Sequence, residues 1–154
     1  MFGPSQISSR RLAIALSLAI STWIAGCGAD VATSDEPPVF SGPALQSVDS
    51  ALAGYRVAVR AFPLTPRKGT NAFEFTVTAV DPQSPPAMAM TLLPWMPVHA
   101  HGTSVLPIVV ATAPDVFVAT RVSLYMAGIW ELRAGFQDAA GAHVDDATSV
   151  FEIP

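Results

Sequence analysis

The sequence has few residues that react or that bind by charge. Its 154 residues include one cysteine, Cys27, so one chain can form no internal disulfide and no thiolate cluster for zinc. Basic residues are also scarce, with eight Lys and Arg against twelve Asp and Glu. Without a cluster of positive charge, this balance argues against nucleic acid or an anionic membrane surface as a partner. Hydrophobic residues make up 51% of the chain, which is enough to build a core without covalent links.

The N-terminus has the layout of an export signal that ends at the cysteine. Arg10 and Arg11 precede a mainly apolar run that is shorter than the roughly 20 residues needed to cross a bilayer. The segment IAGC at residues 24–27 resembles a bacterial lipobox, in which the cysteine is acylated, for example with palmitate, and becomes the first mature residue. We therefore predict a signal peptide at 1–26 and lipidation of Cys27. The alternative is a secreted protein with a free thiol.

Two further features bear on export and destination. The paired arginines fit a general secretory signal or a twin-arginine signal, and both routes stay open. Gly28 stands after the cysteine in place of the aspartate that often retains lipoproteins in the inner membrane. We expect a lipid anchor in the outer membrane, with the protein facing the periplasm.

Residues 27–53 are predicted to form a tether between the lipid and the folded domain. Up to about residue 43 the segment is rich in Asp, Ser, Pro and Gly and has no apolar period. Residues 44–53 fit either a short helical turn or more tether. The folded domain is predicted to span 54–154.

From residue 54 onward, short apolar or alternating runs are separated by Pro, Gly and Asp, which is typical of an all-β sandwich. We predict seven strands, at residues 55–61, 72–80, 88–93, 106–111, 116–120, 129–136 and 147–153. Alternation places the apolar residues of the strand 129–136 on one face, which we expect to pack against Phe73 and Phe75. Those residues are Trp130, Leu132, Ala134 and Phe136.

Three segments occur in an order that is more specific than any one of them. They are GTNAF at 69–73, PWMPVHAHGT at 94–103 and YMAGIWEL at 125–132. Together they resemble the YtkA-like and FixH-like domains, which are small immunoglobulin-like β-sandwiches of the bacterial envelope and often lipoproteins. The resemblance covers about residues 54–153 and implies an association with copper handling or respiratory oxidase assembly. The chain departs from the family pattern at Ala100 and Ala127, where glycine and proline are usual.

The segment 95–102 brings soft and nitrogen metal ligands together. His99 and His101 lie two residues apart, so on an extended backbone both project from one face with Cα atoms about 6.5–7 Å apart. Met96 has the opposite parity, but Pro97 is expected to end the strand and to let Met96 turn toward the histidines. Thioether and imidazole together favour copper, above all Cu(I), over ions that prefer oxygen.

Strand connectivity adds one methionine to this group and removes the third histidine. When successive strands of a sandwich run end to end, Met126 and the loop 96–102 emerge at one end, whereas His143 emerges at the other. The predicted copper site is therefore His99, His101, Met96 and Met126. Because the predicted tether enters at the opposite end, we expect the site to face away from the membrane, toward a copper-accepting partner.

A structural alternative uses the same residues. Met96 and Met126 fit core positions, and the histidines fit loop positions that donate to backbone carbonyls. The domain would then be a structural or protein-interaction module of the cell envelope, without a metal.

Catalytic residues are not predicted. Ser104 lacks an acid that would orient His101 as a base. The pair Asp145-Asp146 fits a solvated strand edge, because adjacent strand residues face opposite ways and cannot share a proton. We therefore predict a protein that is not an enzyme.

Overall fold

Residues 37–154 are the part of the chain that this computed structural model describes, and they form nine β-strands. The strands are β1 (Gln46–Asp49), β2 (Tyr55–Phe62), β3 (Gly69–Ala79), β4 (Ala89–Met96), β5 (His101–Gly102), β6 (Ile108–Ala113), β7 (Val116–Leu124), β8 (Gly128–Gln137) and β9 (His143–Ile153). The predicted signal peptide, Cys27 and the first part of the predicted tether lie outside the described residues. Within 37–154, no helix is long and apolar enough to cross a membrane.

The strands form two antiparallel sheets, which confirms the predicted all-β fold and agrees with a sandwich. One sheet has five strands in the order β1-β2-β3-β7-β6, and the other has four in the order β5-β4-β8-β9. Each of the seven predicted strands is present, most of them with longer ends. The described residues hold nine strands rather than seven, because β1 and β5 pair at the edges of the sheets.

Apolar side chains from both sheets meet in one core. Phe73 and Phe75 of β3 are buried together with the predicted apolar face of β8, as expected from their alternation. Aromatic rings link the two sheets: the ring centroids of Phe73 and Phe151 are 5.4 Å apart, and those of Tyr55 and Phe136 are 5.6 Å apart. Burial of this apolar surface is the main favourable contribution to folding.

Strand β1 lies inside the range 27–53 that the sequence pattern assigned to the tether. It pairs with β2, so the folded unit begins before residue 54. A side-chain contact holds β1 in place: the Gln46 amide donates to the Val150 carbonyl and accepts from the Val150 N–H at 3.1 Å. Gln46 thereby closes one side of the sandwich, because its side chain links the edge strand β1 to the edge strand β9 by two hydrogen bonds.

Asp145 ties the two sheets together at one end of the sandwich. The residue is only 3% exposed, so the predicted solvated edge is wrong for Asp145. Its carboxylate accepts hydrogen bonds from the Ser50 hydroxyl, the Leu52 N–H (3.0 Å) and the Asp146 N–H (2.8 Å). Burial by itself raises the pKa of Asp145, but these hydrogen bonds outweigh burial and lower the pKa below its ordinary value. The turn between β1 and β2 is thereby held on β9.

We expect Asp145→Asn to destabilise the protein by about 2–3 kcal/mol, because an amide cannot accept all of these hydrogen bonds. The folded-state pKa lies below the unfolded value of about 3.9, so the carboxylate stabilises the fold fully above about pH 5. This stabilisation is lost as the pH falls through the folded-state pKa. Thermal unfolding followed by circular dichroism between pH 7 and pH 3 measures both effects.

Asp146→Asn is the matched control, because the Asp146 side chain is 62% exposed. Its stability should stay within about 0.5 kcal/mol of the parent protein. If the two variants unfold at the same temperature at pH 7, the proposed role of Asp145 is wrong.

Candidate functional site

The segment that carries His99 and His101 is a tight hairpin at one end of the four-stranded sheet. β4 ends at Met96, directly before Pro97 as predicted, and β5 begins at His101 opposite Met96. The turn is closed by hydrogen bonds from His99 N–H to the Met96 carbonyl (3.2 Å) and from Ala100 N–H to the Pro97 carbonyl (3.3 Å). The backbone at both histidines is therefore fixed by hydrogen bonds and strand pairing.

Strand pairing places the connection after β7 at the same end as this hairpin. Gly128, the first residue of β8, lies against Met96: a Cβ at Gly128 would be 2.9 Å from Met96 Cε. β8 then runs away from the hairpin, and Gln137 pairs with His143 at the opposite end. Met126 thus shares an end with the two exposed histidines, and His143 does not, as connectivity predicted.

His99 and His101 lie side by side on the surface. Their ring centroids are 5.8 Å apart, and the ring planes are inclined by 32°. His101 Nδ1 lies 3.0 Å from the Gly102 carbonyl oxygen. Since a carbonyl only accepts hydrogen bonds, Nδ1 carries the proton, and Nε2 of the neutral ring is left with a free lone pair.

Met96 lies beneath the hairpin rather than on its surface. The residue is 2% exposed and belongs to the hydrophobic core. Met96 and His101 are direct cross-strand partners, so their side chains project from the same face of the sheet. The burial of Met96 matches the core position of the structural alternative.

Met126 is accessible and sits on a loop that is fixed to the core. The residue is 40% exposed, and its carbonyl accepts a hydrogen bond from Trp130 Nε1 at 2.9 Å. Trp130 is itself buried, so this bond satisfies the indole N–H and holds the loop. Met126 is therefore an accessible methionine at this end.

His143 belongs to a separate contact at the far end of the sandwich. Its Nε2 lies 3.1 Å from Asp146 Oδ2, and both side chains are more than half exposed. Within residues 37–154, no three His, Cys, Asp or Glu side chains come together as a metal site. An ion at the hairpin would therefore depend on two imidazoles and a thioether.

The entry of the chain differs from the prediction. β1 is antiparallel to β2, with Gln46 opposite Val59, and the Gly42 carbonyl accepts a hydrogen bond from Arg60 Nε at 3.1 Å. Residues 42–46 therefore run along the half of β2 nearest the hairpin end. The predicted entry at the opposite end is wrong, and the expectation that the histidines face away from the anchor loses its basis.

Gly102 shapes the hairpin and was not predicted to be a positioning residue. Gly102 lets β5 approach β4, because a Cβ there would lie 2.9 Å from the Pro94 carbonyl oxygen. A glycine inside a short edge strand is a known sign of such an approach. Ala100, at the position where the resemblance implies glycine, has a φ of +52°, a conformation that glycine adopts at lower cost.

No protein-family model, curated protein or solved structure matches this chain. The resemblance to YtkA-like and FixH-like domains therefore stays a prediction from the residues.

We expect Met96→Ala to destabilise the protein by about 2–5 kcal/mol, because it opens a cavity beneath the hairpin. Met96→Leu keeps the volume and should change the stability by less than about 1.5 kcal/mol. Urea unfolding of both variants measures this difference. If Met96→Ala is as stable as the parent protein, Met96 does not support the hairpin by packing.

Proposed function

We propose that this chain is an exported, lipid-anchored β-sandwich protein that binds copper through His99 and His101, with Met126 as the thioether ligand. The main support is the pair of exposed imidazoles whose centroids are 5.8 Å apart. An ion that lies about 2 Å from one nitrogen of each ring holds the ring centres roughly 6 Å apart. The separation of the two ring centres therefore matches that of two imidazoles on one ion.

The hydrogen bond of His101 gives a second line of support. Metal-binding histidines commonly donate their other ring N–H to a backbone carbonyl or a carboxylate, which fixes the tautomer and the ring orientation. The 3.0 Å contact between His101 Nδ1 and the Gly102 carbonyl has this form. It leaves Nε2 as the ligand atom and reduces the rotational freedom that would be lost on binding.

The types of ligand favour copper over other ions. Magnesium and calcium require several oxygen ligands, and a structural zinc site requires four strong ligands. Two imidazoles and a thioether instead suit Cu(I), which accepts low coordination numbers and soft donors. In this proposal Met96 supports the hairpin through packing and is not a ligand.

We also propose that the chain belongs to the YtkA-like and FixH-like domains and shares their immunoglobulin-like topology. The three segments that carry the resemblance start or end near the same end of the sandwich. Gly69 lies opposite Leu124 across β3 and β7, and Met96 packs on Gly128. A site that is open to solvent suits copper exchange with an envelope partner.

A structural or protein-interaction module without metal is the second candidate. It is favoured by the exposure of large apolar residues at the hairpin end, where Val98 is 77% and Tyr125 is 64% exposed. Apolar residues that stand exposed on ordered loops are common at protein-protein contacts. In this case the His101 hydrogen bond would only order the hairpin.

Copper titration of the full chain in detergent separates the two candidates. We expect one Cu(I) per chain, and we expect His99→Ala combined with His101→Ala to weaken binding more than about 100-fold, because both nitrogen ligands are lost. Competition with a chromogenic Cu(I) chelator gives the affinity. Both histidines are exposed, so the double variant should keep its unfolding temperature.

His143→Ala is the matched control, since His143 is also exposed but pairs with Asp146 at the far end. It should bind copper as the parent protein does. Equal copper uptake by the double variant and the parent protein would reject the site and leave the interaction module as the better candidate.

Lipid anchoring has its own test. Cys27→Ser should abolish incorporation of labelled palmitate, because the thiol that carries the acyl chain is lost. Metabolic labelling followed by immunoprecipitation measures the label. A variant that still incorporates palmitate would show that Cys27 is not the acylated residue.

A further inference from the structure

The two sheets expose their edges differently on the two sides of the sandwich. On one side, the Gln46 amide joins β1 to Val150 of β9. The edge strand β9 also carries Asp146 and Glu152, and charged side chains oppose pairing with another strand. That side is therefore closed and protected.

The other side is open. β6 (Ile108–Ala113) is an edge strand that pairs with β7 alone among the described strands. No Lys, Arg, Asp or Glu occurs between residues 103 and 114, and the prolines at 107 and 114 lie outside the strand. Ile108 and Val110 are 46% and 55% exposed. β6 thus lacks the charges, prolines and short length that usually protect a sheet edge, and its pairing with β7 is regular from Ile108 to Ala111, before a bulge between Ala111 and Ala113.

An apolar cleft follows the same side between the two sheets. It has a volume of about 400 Å³ and is lined by Met90, Leu92, Leu93, Leu106, Pro107 and Val109. β4 also has an exposed edge on this side. β5 pairs only with Trp95 and Met96, so the outer edge of Ala89–Pro94 has no strand partner in the described structure. Both edges on this side therefore present unpaired backbone groups beside apolar side chains.

We propose that β6 is a homodimer interface, in which a second copy of this chain pairs its own β6 antiparallel to the first. The two five-stranded sheets then form one continuous sheet across a two-fold axis. The proposal does not depend on copper binding, since the hairpin lies at the end of the other sheet.

A second copy meets no charge repulsion at β6 itself. The chain has a net charge of −4, so two copies repel each other on most faces, but β6 itself brings no like charges together. Pairing of two neutral apolar strands also places Ile108 and Val110 of one copy near those of the other, where cross-strand apolar pairs stabilise a sheet.

The residues at the two ends of β6 set the direction of pairing. Asp115 lies in the turn at the end of β6. Arg121 lies near the start of β6, because the preceding residue, Thr120, pairs with Ile108. Both Asp115 and Arg121 are exposed. In an antiparallel dimer, Asp115 of each copy lies at the end of the interface that carries Arg121 of the other copy, so the two-fold axis produces two such pairs. Parallel pairing would place like charges together.

Light scattering of the full chain, at fixed detergent and increasing protein concentration, tests this interface. We expect a monomer–dimer equilibrium, and we expect Val110→Lys to raise the dimer dissociation constant more than tenfold, because it places two lysines close together at the two-fold axis. Leu52→Lys is the control, since Leu52 is 76% exposed on the β1–β2 turn. It should leave the dimer unchanged.

Charge reversal gives a second, independent readout. Arg121→Asp should weaken the dimer, and adding Asp115→Arg to that variant should restore it, because the pair then has opposite signs again. Circular dichroism confirms that each variant is folded. A monomer at all concentrations, a larger oligomer, or a dimer that Val110→Lys leaves intact would overturn the proposal.

Discussion

The buried carboxylate of Asp145 is the contact on which the arrangement of the two sheets depends. It accepts hydrogen bonds from Ser50 and Leu52 in the turn of one sheet while it belongs to β9 of the other. A buried charge is expensive unless it is fully hydrogen-bonded, and here backbone N–H groups and a hydroxyl satisfy it without a cation. Asp145 therefore fastens the β1–β2 turn to β9, and the Gln46 amide closes the adjoining side.

The two proposed binding surfaces lie at the opposite end and on the opposite side. At the end, the hairpin rests on Met96 in the core, and the loop of Met126 is held by the buried indole of Trp130. Exposed ligands on a rigid support lose little conformational freedom when they bind an ion, which favours affinity in a site with few ligands. On the side, β6 keeps the backbone groups that another strand requires. The two proposed surfaces involve different sheets.

Alternation of residues predicted the strands and the core, because burial of one face leaves a period of two in the sequence. The same alternation predicts that Asp145 is buried, because Asp145 has the parity of Ala147, Phe151 and Ile153, all of which face the core. Strand β1 left no comparable signal, because Val48 is the one apolar residue among its four. Missing β1 reversed the predicted point of entry. Connectivity did separate His143 from the other two histidines, since strand direction follows from order alone, but whether Met96 was buried required the packing of Gly128.

The central claim is that His99 and His101 share one copper ion through a preset tautomer. Long-range ¹H–¹⁵N NMR spectra of the imidazole rings, recorded on the full chain in detergent as Cu(I) is added, test it most directly. The account predicts that Nε2 of His101 and one ring nitrogen of His99 shift up to one equivalent, while His101 Nδ1 stays protonated and the His143 ring does not change. Shifts of equal size in all three rings, or none at His99 and His101, would contradict it.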